Sequence, residues 1–244
     1  MGENMNLSYT DEQNLLRDSV SKFCGSDYDF DTRMKSVNSD QGHNPDHWKL
    51  FAELGWLAIP FSEDMGGLDG GDVDLSLMFE EFGKSIVIEP YLANVVLSGG
   101  VLKRCDHENK SDLIESLIAG EAQFSLANYE PQKGFNLDNV DCEISSDGTV
   151  NGTKTTVLNA PNADHFLVFG KHGSSHAFAL VSKDAEGLNI TSYKTYDGFV
   201  SGDIKLDNVK SQAVFSKNDA LEILTEAILE GIISVSSEAI GAME

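Results

Sequence analysis

Three groups of side chains in this 244-residue sequence have the types and spacing that chemistry requires. His43 and His47 stand i,i+4, a separation that can offer two imidazoles to a divalent metal. Asp138 and Asp141 could act as paired carboxylates in acid–base chemistry. Glu238 and Glu244 lie on the last helical pattern, where a carboxylate could serve as a base. Each group also has a plainer reading. No carboxylate or cysteine completes a metal site around the histidines, and Pro45 begins a helix between them, so they read as surface residues. Asp138 and Asp141 read as a loop leading into a strand. Glu238 and Glu244 match no catalytic motif and read as a solvated helix face. No catalytic residue is assigned. There is no G-x-S-x-G nucleophile motif and no glycine-rich phosphate loop. Ser98-Gly99-Gly100 lies inside an apolar helical pattern and predicts close helix packing.

Charge narrows the partners. Forty acidic residues against 17 basic ones give a net charge of −23, which repels nucleic acid and anionic lipid. It would also repel a coenzyme A thioester in bulk, so such a site would need local basic residues or backbone N–H groups. The plainer reading of the charge is solubility or a saline habitat. No apolar run approaches the ~18 residues of a membrane span. The start, MGENMNLSYTDEQ, is acidic without an apolar core and reads as no signal peptide. Gly2 follows Met1, but the next residues match a myristoylation signal poorly. Cys24, Cys105 and Cys142 are odd in number and far apart. They fit a reducing cytoplasm, with neither a disulfide framework nor a zinc site.

The elements that must position any site change character along the chain. Thr10-Asp11-Glu12-Gln13 predicts a capping box, followed by Leu16, Val20, Phe23 and Cys24 on one helix face. Asn44-Pro45 is an N-cap with proline at the first helical position, and Trp48, Phe51 and Leu54 continue that helix. Leu75, Met78, Phe79 and Phe82 form a third stripe, with Gly83 as its stop. Pro90 starts another helix carrying Leu92, Val95, Val96 and Leu97. Ser111 caps a fifth, bearing Leu113, Ile114, Leu117 and Ile118, which Gly120 ends.

After Gly120 the period shifts toward 2. Gln123–Tyr129 alternates, and Asp147-Gly148 supplies a hairpin between Ile144 and Val150. His165–Phe169, Ala177–Val181, Leu188–Tyr193 and Asp203–Leu206 complete a set of short strands, predicting a small antiparallel β-barrel or sandwich. From Asn218 the helical period returns, with Leu221, Leu224, Ile228, Ile232 and Val235 on one stripe running to Glu244 without a stop signal. The expected fold class is therefore α+β and multidomain. Residues 1–120 form a helical domain, 121–215 a β domain, and 216–244 the first helix of a further helical bundle.

Two motifs carry a resemblance. Leu50–Leu68 reads LFAELGWLAIPFSEDMGGL, and Phe79–Gly100 reads FEEFGKSIVIEPYLANVVLSGG. The first resembles the "aELGW…P…GGL" segment of acyl-CoA dehydrogenases. The second is similar to the family's small-subunit branch, typified by the pimeloyl-CoA dehydrogenase small subunit. Asn151-Gly152-Thr153-Lys154 is similar to the family's "l-x-G-x-K" hairpin. With these in order and spacing, the resemblance extends from Leu7 to Met243, and Trp56 reads as core rather than as a flavin stack.

The resemblance implies FAD as cofactor and α,β-desaturation of an acyl-CoA thioester, with electrons passing to an electron-transfer flavoprotein. It places flavin contacts on Leu126, Asn128 and Tyr129 of one segment and on Thr156 and Leu158 of another. In the family the first segment reads "T-E-P-G-x-G-S-D". Here Glu130-Pro131 and Gly134 remain, Tyr129 stands where Thr would be, and Phe135 where Ser would be. In the second, "K-x-W/F-I-T-N", Lys154 and Asn159 remain, while Thr156 replaces the aromatic and Leu158 the Thr near flavin N5. A hydroxyl there would stabilise charge developing on reduction, and leucine cannot donate. The family's base is a Glu in a C-terminal helical domain, on a segment outside these 244 residues. The expectation is an oligomer, homo- or hetero-, with a complete acyl-CoA dehydrogenase subunit that supplies that Glu. The alternative is a non-catalytic structural subunit or degenerate fragment that binds no flavin.

Overall fold

The computed structural model describes residues 8–244. The expectations about Gly2 and the leader lie mostly on residues 1–7, outside the described ones. Among the described residues, seven α-helices and eight strands follow in the order helices, sheet, helix: α1 Asp11–Ser26, α2 Phe30–Asn38, α3 Pro45–Glu53, α4 Asp72–Ser85, α5 Gly99–Arg104 and α6 Lys110–Ile118. Next come β1 Phe124–Ala127, β2 Glu143–Ile144, β3 Thr149–Leu158, β4 His165–His172, β5 Ser175–Ser182, β6 Leu188–Lys194, β7 Val200–Lys210 and β8 Ala213–Phe215, and finally α7 Ala220–Met243. No described helix is long and apolar enough to cross a membrane.

The caps form largely as the sequence dictates. The Thr10 hydroxyl accepts from the Gln13 amide at 3.1 Å, and the Gln13 side chain accepts from the Thr10 amide at 3.1 Å. Asn44 accepts from the Asp46 amide at the start of α3. Two expectations fail. Gly83 does not stop α4, which continues to Ser85 and closes on Ile86 in the left-handed region. Gly83 is instead a packing residue: a Cβ there would lie 2.0 Å from the Glu238 carbonyl oxygen of α7. The cap of α6 is Asn109 rather than Ser111. Helix α2 was not legible, because Phe30 is 73% exposed and gives it no apolar stripe. Its start is set by Asp29, whose carboxylate accepts from the Thr32 amide at 2.8 Å.

Before α5, Leu92–Ser98 is π-helical, an irregular stretch with i→i+5 bonding. Gly99 and Gly100 sit at its end, where added Cβ atoms would meet Phe61 at 2.7 Å and Ala227 at 3.1 Å. The predicted close packing is therefore real, and it seats α7 on α5. Arg104 and Lys103 reinforce that crossing by pairing with Glu230 at 2.5 and 2.9 Å.

The sheet runs β6-β7-β3-β2-β4-β5-β8, with β1 alongside β4. It is mixed rather than purely antiparallel, since β1–β4 and β2–β4 are parallel. All four residues of β1 are buried, so the alternation expected there is absent. A strand covered on both faces has no solvent face to be polar. The β2–β3 hairpin turns at Gly148 (φ +78°) as expected. One core joins the helices to one face of the sheet. Its centre is an aromatic cluster of Phe23, Phe51, Trp56, Phe79, Phe82 and Tyr91. Trp56 is thus core, as read.

On α7, Leu224 is buried, and Leu221 and Ile228 pack against the core. The rest of the expected stripe turns outward, with Ile232 at 56% and Val235 at 45% exposed. Leu229, Ile240 and Met243 are exposed with them.

Candidate functional site

The lysine and glutamate that survive from the two motifs bind each other. Lys154 Nζ lies 2.7 Å from Glu130 Oε1, and both side chains are buried. Glu130 also accepts from the Asp141 and Cys142 amides at 2.6 and 2.9 Å, and Lys154 reaches the Asn128 carbonyl at 3.3 Å. Burial alone would raise the Glu130 pKa. The hydrogen bond and charge of Lys154, with the two amides, overcome it and hold the carboxyl below its usual range. The pair ties the end of β1 to the middle of β3 and to the strand that follows the loop. Gly152 allows this close approach: a Cβ there would lie 2.8 Å from Cys142. The Cys142 thiol, buried beneath, is pushed up to about 11.

The two predicted segments run side by side. Ser125 Oγ donates to the Leu158 carbonyl at 2.8 Å, and the Thr155 amide donates to the Tyr129 carbonyl at 2.9 Å. Leu126, Asn128 and Tyr129 are therefore brought beside Thr156 and Leu158. Their side chains diverge, however. Leu126 is buried in the core, and the Tyr129 ring meets Phe135 edge-on at 6.0 Å. Asn128 Nδ2 is buried and has no hydrogen-bond partner.

Strand β3 is not regular here. Its register with β7 shifts between Lys154 and Val157, so Thr155 and Thr156 bulge. Thr156 sits at φ +54°, a left-handed conformation that a β-branched residue adopts only under constraint. Asp203 supplies the constraint. Its Oδ1 accepts from Thr155 Oγ1 at 2.7 Å, the Thr156 amide at 3.0 Å and Tyr193 OH at 2.9 Å. These bonds hold the Asp203 carboxyl below its usual range. A strand reading by alternation could not have found the bulge; a Thr-Thr pair opposite an Asp is its only trace in the sequence.

The bulge points Thr156 and Leu158 into a cavity of about 320 Å³. Phe79 and Phe82 of α4, Tyr91 and Leu92, and Val235 of α7 form its apolar walls, and Asn159 lies beside Leu158. Exposed Thr156 and Asp197 mark its mouth, while His43, Glu89 and Tyr91 are buried. The volume is at the lower end of ligand pockets, about 300–1,000 Å³.

Several plain readings need correction at this cavity. His43 and His47 are not surface residues. His43 is 3% exposed, and burial lowers its pKa. His47 Nδ1 lies 3.1 Å from Glu89 Oε1. Glu238 is not on a solvated face: it lines the cavity, and burial raises its pKa, with the charge of Asp197 adding to the effect. Packing of α7 on α4 turns it inward, which periodicity alone could not tell. Glu244 does remain at the surface, 3.2 Å from Lys84. So do Asp141, paired with Lys133 at 2.7 Å, and Asp138, 3.6 Å from His176 Nε2.

Comparison with known proteins agrees with this architecture. Residues 10–121 match the model of the acyl-CoA dehydrogenase N-terminal domain. The chain is 28% identical over 257 residues to a probable acyl-CoA dehydrogenase, YngJ, of Bacillus subtilis (strain 168), covering 97% of this chain and 67% of that protein. It is 27% identical over 203 residues to L-prolyl-[peptidyl-carrier protein] dehydrogenase of Serratia sp. (strain ATCC 39006), covering 76% and 51%. Among solved structures, the FAD complex of PigA superposes with a TM-score of 0.86 at 22% identity, over 98% of this chain and 67% of that one. The ChsE4-ChsE5 complex from Mycobacterium tuberculosis superposes with a TM-score of 0.83 at 21% identity, over 97% and 65%. The matched regions cover about half to two thirds of these relatives' lengths. Residues 10–121 are thus similar to the acyl-CoA dehydrogenase N-terminal domain, and the chain shares the fold of these solved structures through α7.

Proposed function

We propose that this chain is an acyl-CoA dehydrogenase-like flavoprotein subunit of the small-subunit type, acting in α,β-desaturation of an acyl thioester. The observation that carries the reading is the apolar cavity walled on one side by Thr156 and Leu158, the two β3 positions that face flavin in the resembled family. Relatives solved with FAD support the cofactor. The residues present fit it in part. Asn128 Nδ2 is a buried donor without a partner beside this patch, and backbone amides there do not depend on residue identity. Leu158 supplies no hydroxyl.

When bound, FAD would accept hydride from the substrate β-carbon. The chain's own part is to bind and orient. Phe79, Phe82, Tyr91 and Leu92 would hold the acyl chain and exclude water from the reacting carbons. The Asp203 brace would fix the β3 bulge, whose Thr156 and Leu158 would help to hold the cofactor. The α-proton would go to a Glu of a partner subunit, a complete acyl-CoA dehydrogenase, and electrons onward to an electron-transfer flavoprotein. A complex such as ChsE4-ChsE5 among the structural relatives supports assembly with a second chain.

The exposed α7 face supports such an assembly. Ile232, Ile240 and Met243 are 56%, 48% and 78% exposed on one helix. Burying such side chains is worth about 1.5–3 kcal/mol each before entropy costs. The expected result is association at micromolar concentration that Ile232→Asp with Ile240→Asp abolishes. A strictly monomeric wild type in sedimentation would remove this surface from the account.

Leu158 and Thr156 favour one rival, a structural subunit that binds no flavin. FAD titration by fluorescence quenching separates the two. Leu158→Thr with Thr156→Trp should tighten binding by about 1–2 kcal/mol, restoring one donor and one stacking surface. Unchanged affinity in the double variant would count against the β3 site.

A further inference from the structure

The free polar groups on the cavity lining are acceptors. His43 is 3% exposed, and its Nδ1 lies 3.2 Å from the Gln41 carbonyl oxygen. A carbonyl can only accept, so Nδ1 carries the proton, and burial holds the imidazole neutral. Nε2 is therefore a bare lone pair on a ring that lines the cavity. It has no hydrogen-bond partner among the described residues, yet it is not sealed off. Glu89 is different: its side chain is fully buried with His47 and Tyr28 beside it, out of a ligand's reach. Glu238 lines the same cavity and is half-buried. Its carboxylate makes no hydrogen bond or ion pair among the described residues.

Among the described residues no lysine or arginine stands on the lining. Arg33 reaches the mouth, but it donates to the backbone carbonyls of Ile86 and Asp197 at 2.7 and 3.0 Å and pairs with no carboxylate. Burial raises the Glu238 pKa, and the charge of Asp197 adds to the effect. A cation set beside Glu238 offsets both. Phe79, Phe82, Tyr91 and Phe199 give the cavity aromatic walls, whose ring faces attract a cation further. An anion there would meet like charge in a site of low dielectric.

We propose that the cavity admits an acyl group bearing a protonated amine and rejects one bearing a carboxylate, with Glu238 supplying the charge and His43 Nε2 an uncharged acceptor. This deepens the reading of the cavity as an acyl site and rests on it. Glu238 and His43 are specificity-determining residues: they act on the substituent of the acyl group and not on the reacting carbons. At about 320 Å³ the cavity suits a short acyl group.

The test is isothermal titration of the full chain, with FAD present. β-Alanyl-CoA is compared with butanoyl-CoA, its methyl isostere, with β-hydroxypropanoyl-CoA and with succinyl-CoA. The amine should bind about tenfold tighter than the methyl thioester, and succinyl-CoA several-fold weaker. The hydroxyl, a donor without charge, should fall between amine and methyl. Glu238→Gln keeps the shape and removes the charge, so the amine and succinyl thioesters should converge to within about threefold. His43→Asn keeps a donor for the Gln41 carbonyl and removes Nε2. It should lower the amine's advantage several-fold, and it serves if Glu238→Gln does not fold. Equal affinities of the amine, methyl and carboxylate thioesters in the wild type would overturn the inference and leave the acyl site standing. So would a hydroxyl as tight as the amine, or an amine advantage that survives both variants. Failure of every thioester to bind would overturn both.

Discussion

Glu130→Ala will lower stability by about 3–5 kcal/mol, the cost of leaving a buried charge without its partner. For a chain of this size that is a fall in melting temperature of roughly 6–20 °C. The reason is the geometry of Lys154, whose side chain has no exposed surface and whose ammonium holds Glu130 at 2.7 Å. With Glu130 gone, only the Asn128 carbonyl at 3.3 Å remains to it, and the Asp141 and Cys142 amides also lose their acceptor. Replacing both partners together, Glu130→Leu with Lys154→Met, should cost much less than either Glu130→Ala or Lys154→Ala, because no lone charge is left behind. Thermal melts of the three variants check this. A double variant as unstable as the single ones would mean that the pair is not the source of the loss. The acid limb follows from the same pair. The folded carboxyl lies below its unfolded value. Its contribution is therefore present above about pH 4.3, the unfolded carboxyl's pKa, and is lost as pH falls through the folded value. In Glu130→Gln that part of the acid dependence should disappear.

Gly241→Val is expected to be nearly as damaging, for a reason of backbone contact. A Cβ at Gly241 would stand 1.8 Å from the Glu80 carbonyl oxygen, and one at Gly83 would stand 2.0 Å from the Glu238 carbonyl oxygen. Helices α4 and α7 therefore cross backbone to backbone, each through the other's glycine. Neither carbonyl can step aside without moving its helix. Overpacking of this kind costs about 1–3 kcal/mol or more. It also parts the two helices that supply Phe79, Phe82, Val235 and Glu238 to the cavity. The variant should lose thermal stability and ligand affinity together. Gly25→Ala is the control: nothing lies within 4 Å of a Cβ there, and a helical alanine should gain about 0.5–1 kcal/mol over glycine. Gly241→Val at wild-type stability would show that the crossing is looser than the structure has it.

These two effects also mark what could be read in the sequence. Caps, apolar stripes and the Asp147-Gly148 turn depend on neighbours in the chain, so α1, α3 and the β2–β3 hairpin were legible. Gly83 was misread as a stop because a glycine that ends a helix and one that admits another helix look alike without the partner. The five residues expected beside flavin rest on resemblance, and the fold brings their two segments side by side. Which of them face the cavity was hidden, since the bulge at Thr156 depends on Asp203, 47 residues away. Glu238 and His43 were hidden for the same reason: periodicity says that a face exists, and only packing says what it meets.

The central claim is that this chain holds flavin at the β1–β3 patch beside the cavity. The most direct measurement is the visible absorption spectrum of the chain after incubation with excess FAD and removal of the free cofactor by gel filtration, alone and with a partner subunit. The account predicts flavin absorbance co-eluting with the protein, weaker for the wild type than for Leu158→Thr with Thr156→Trp. A colourless protein in every case, the double variant and the assembled complex included, would contradict it and leave the structural-subunit reading in its place.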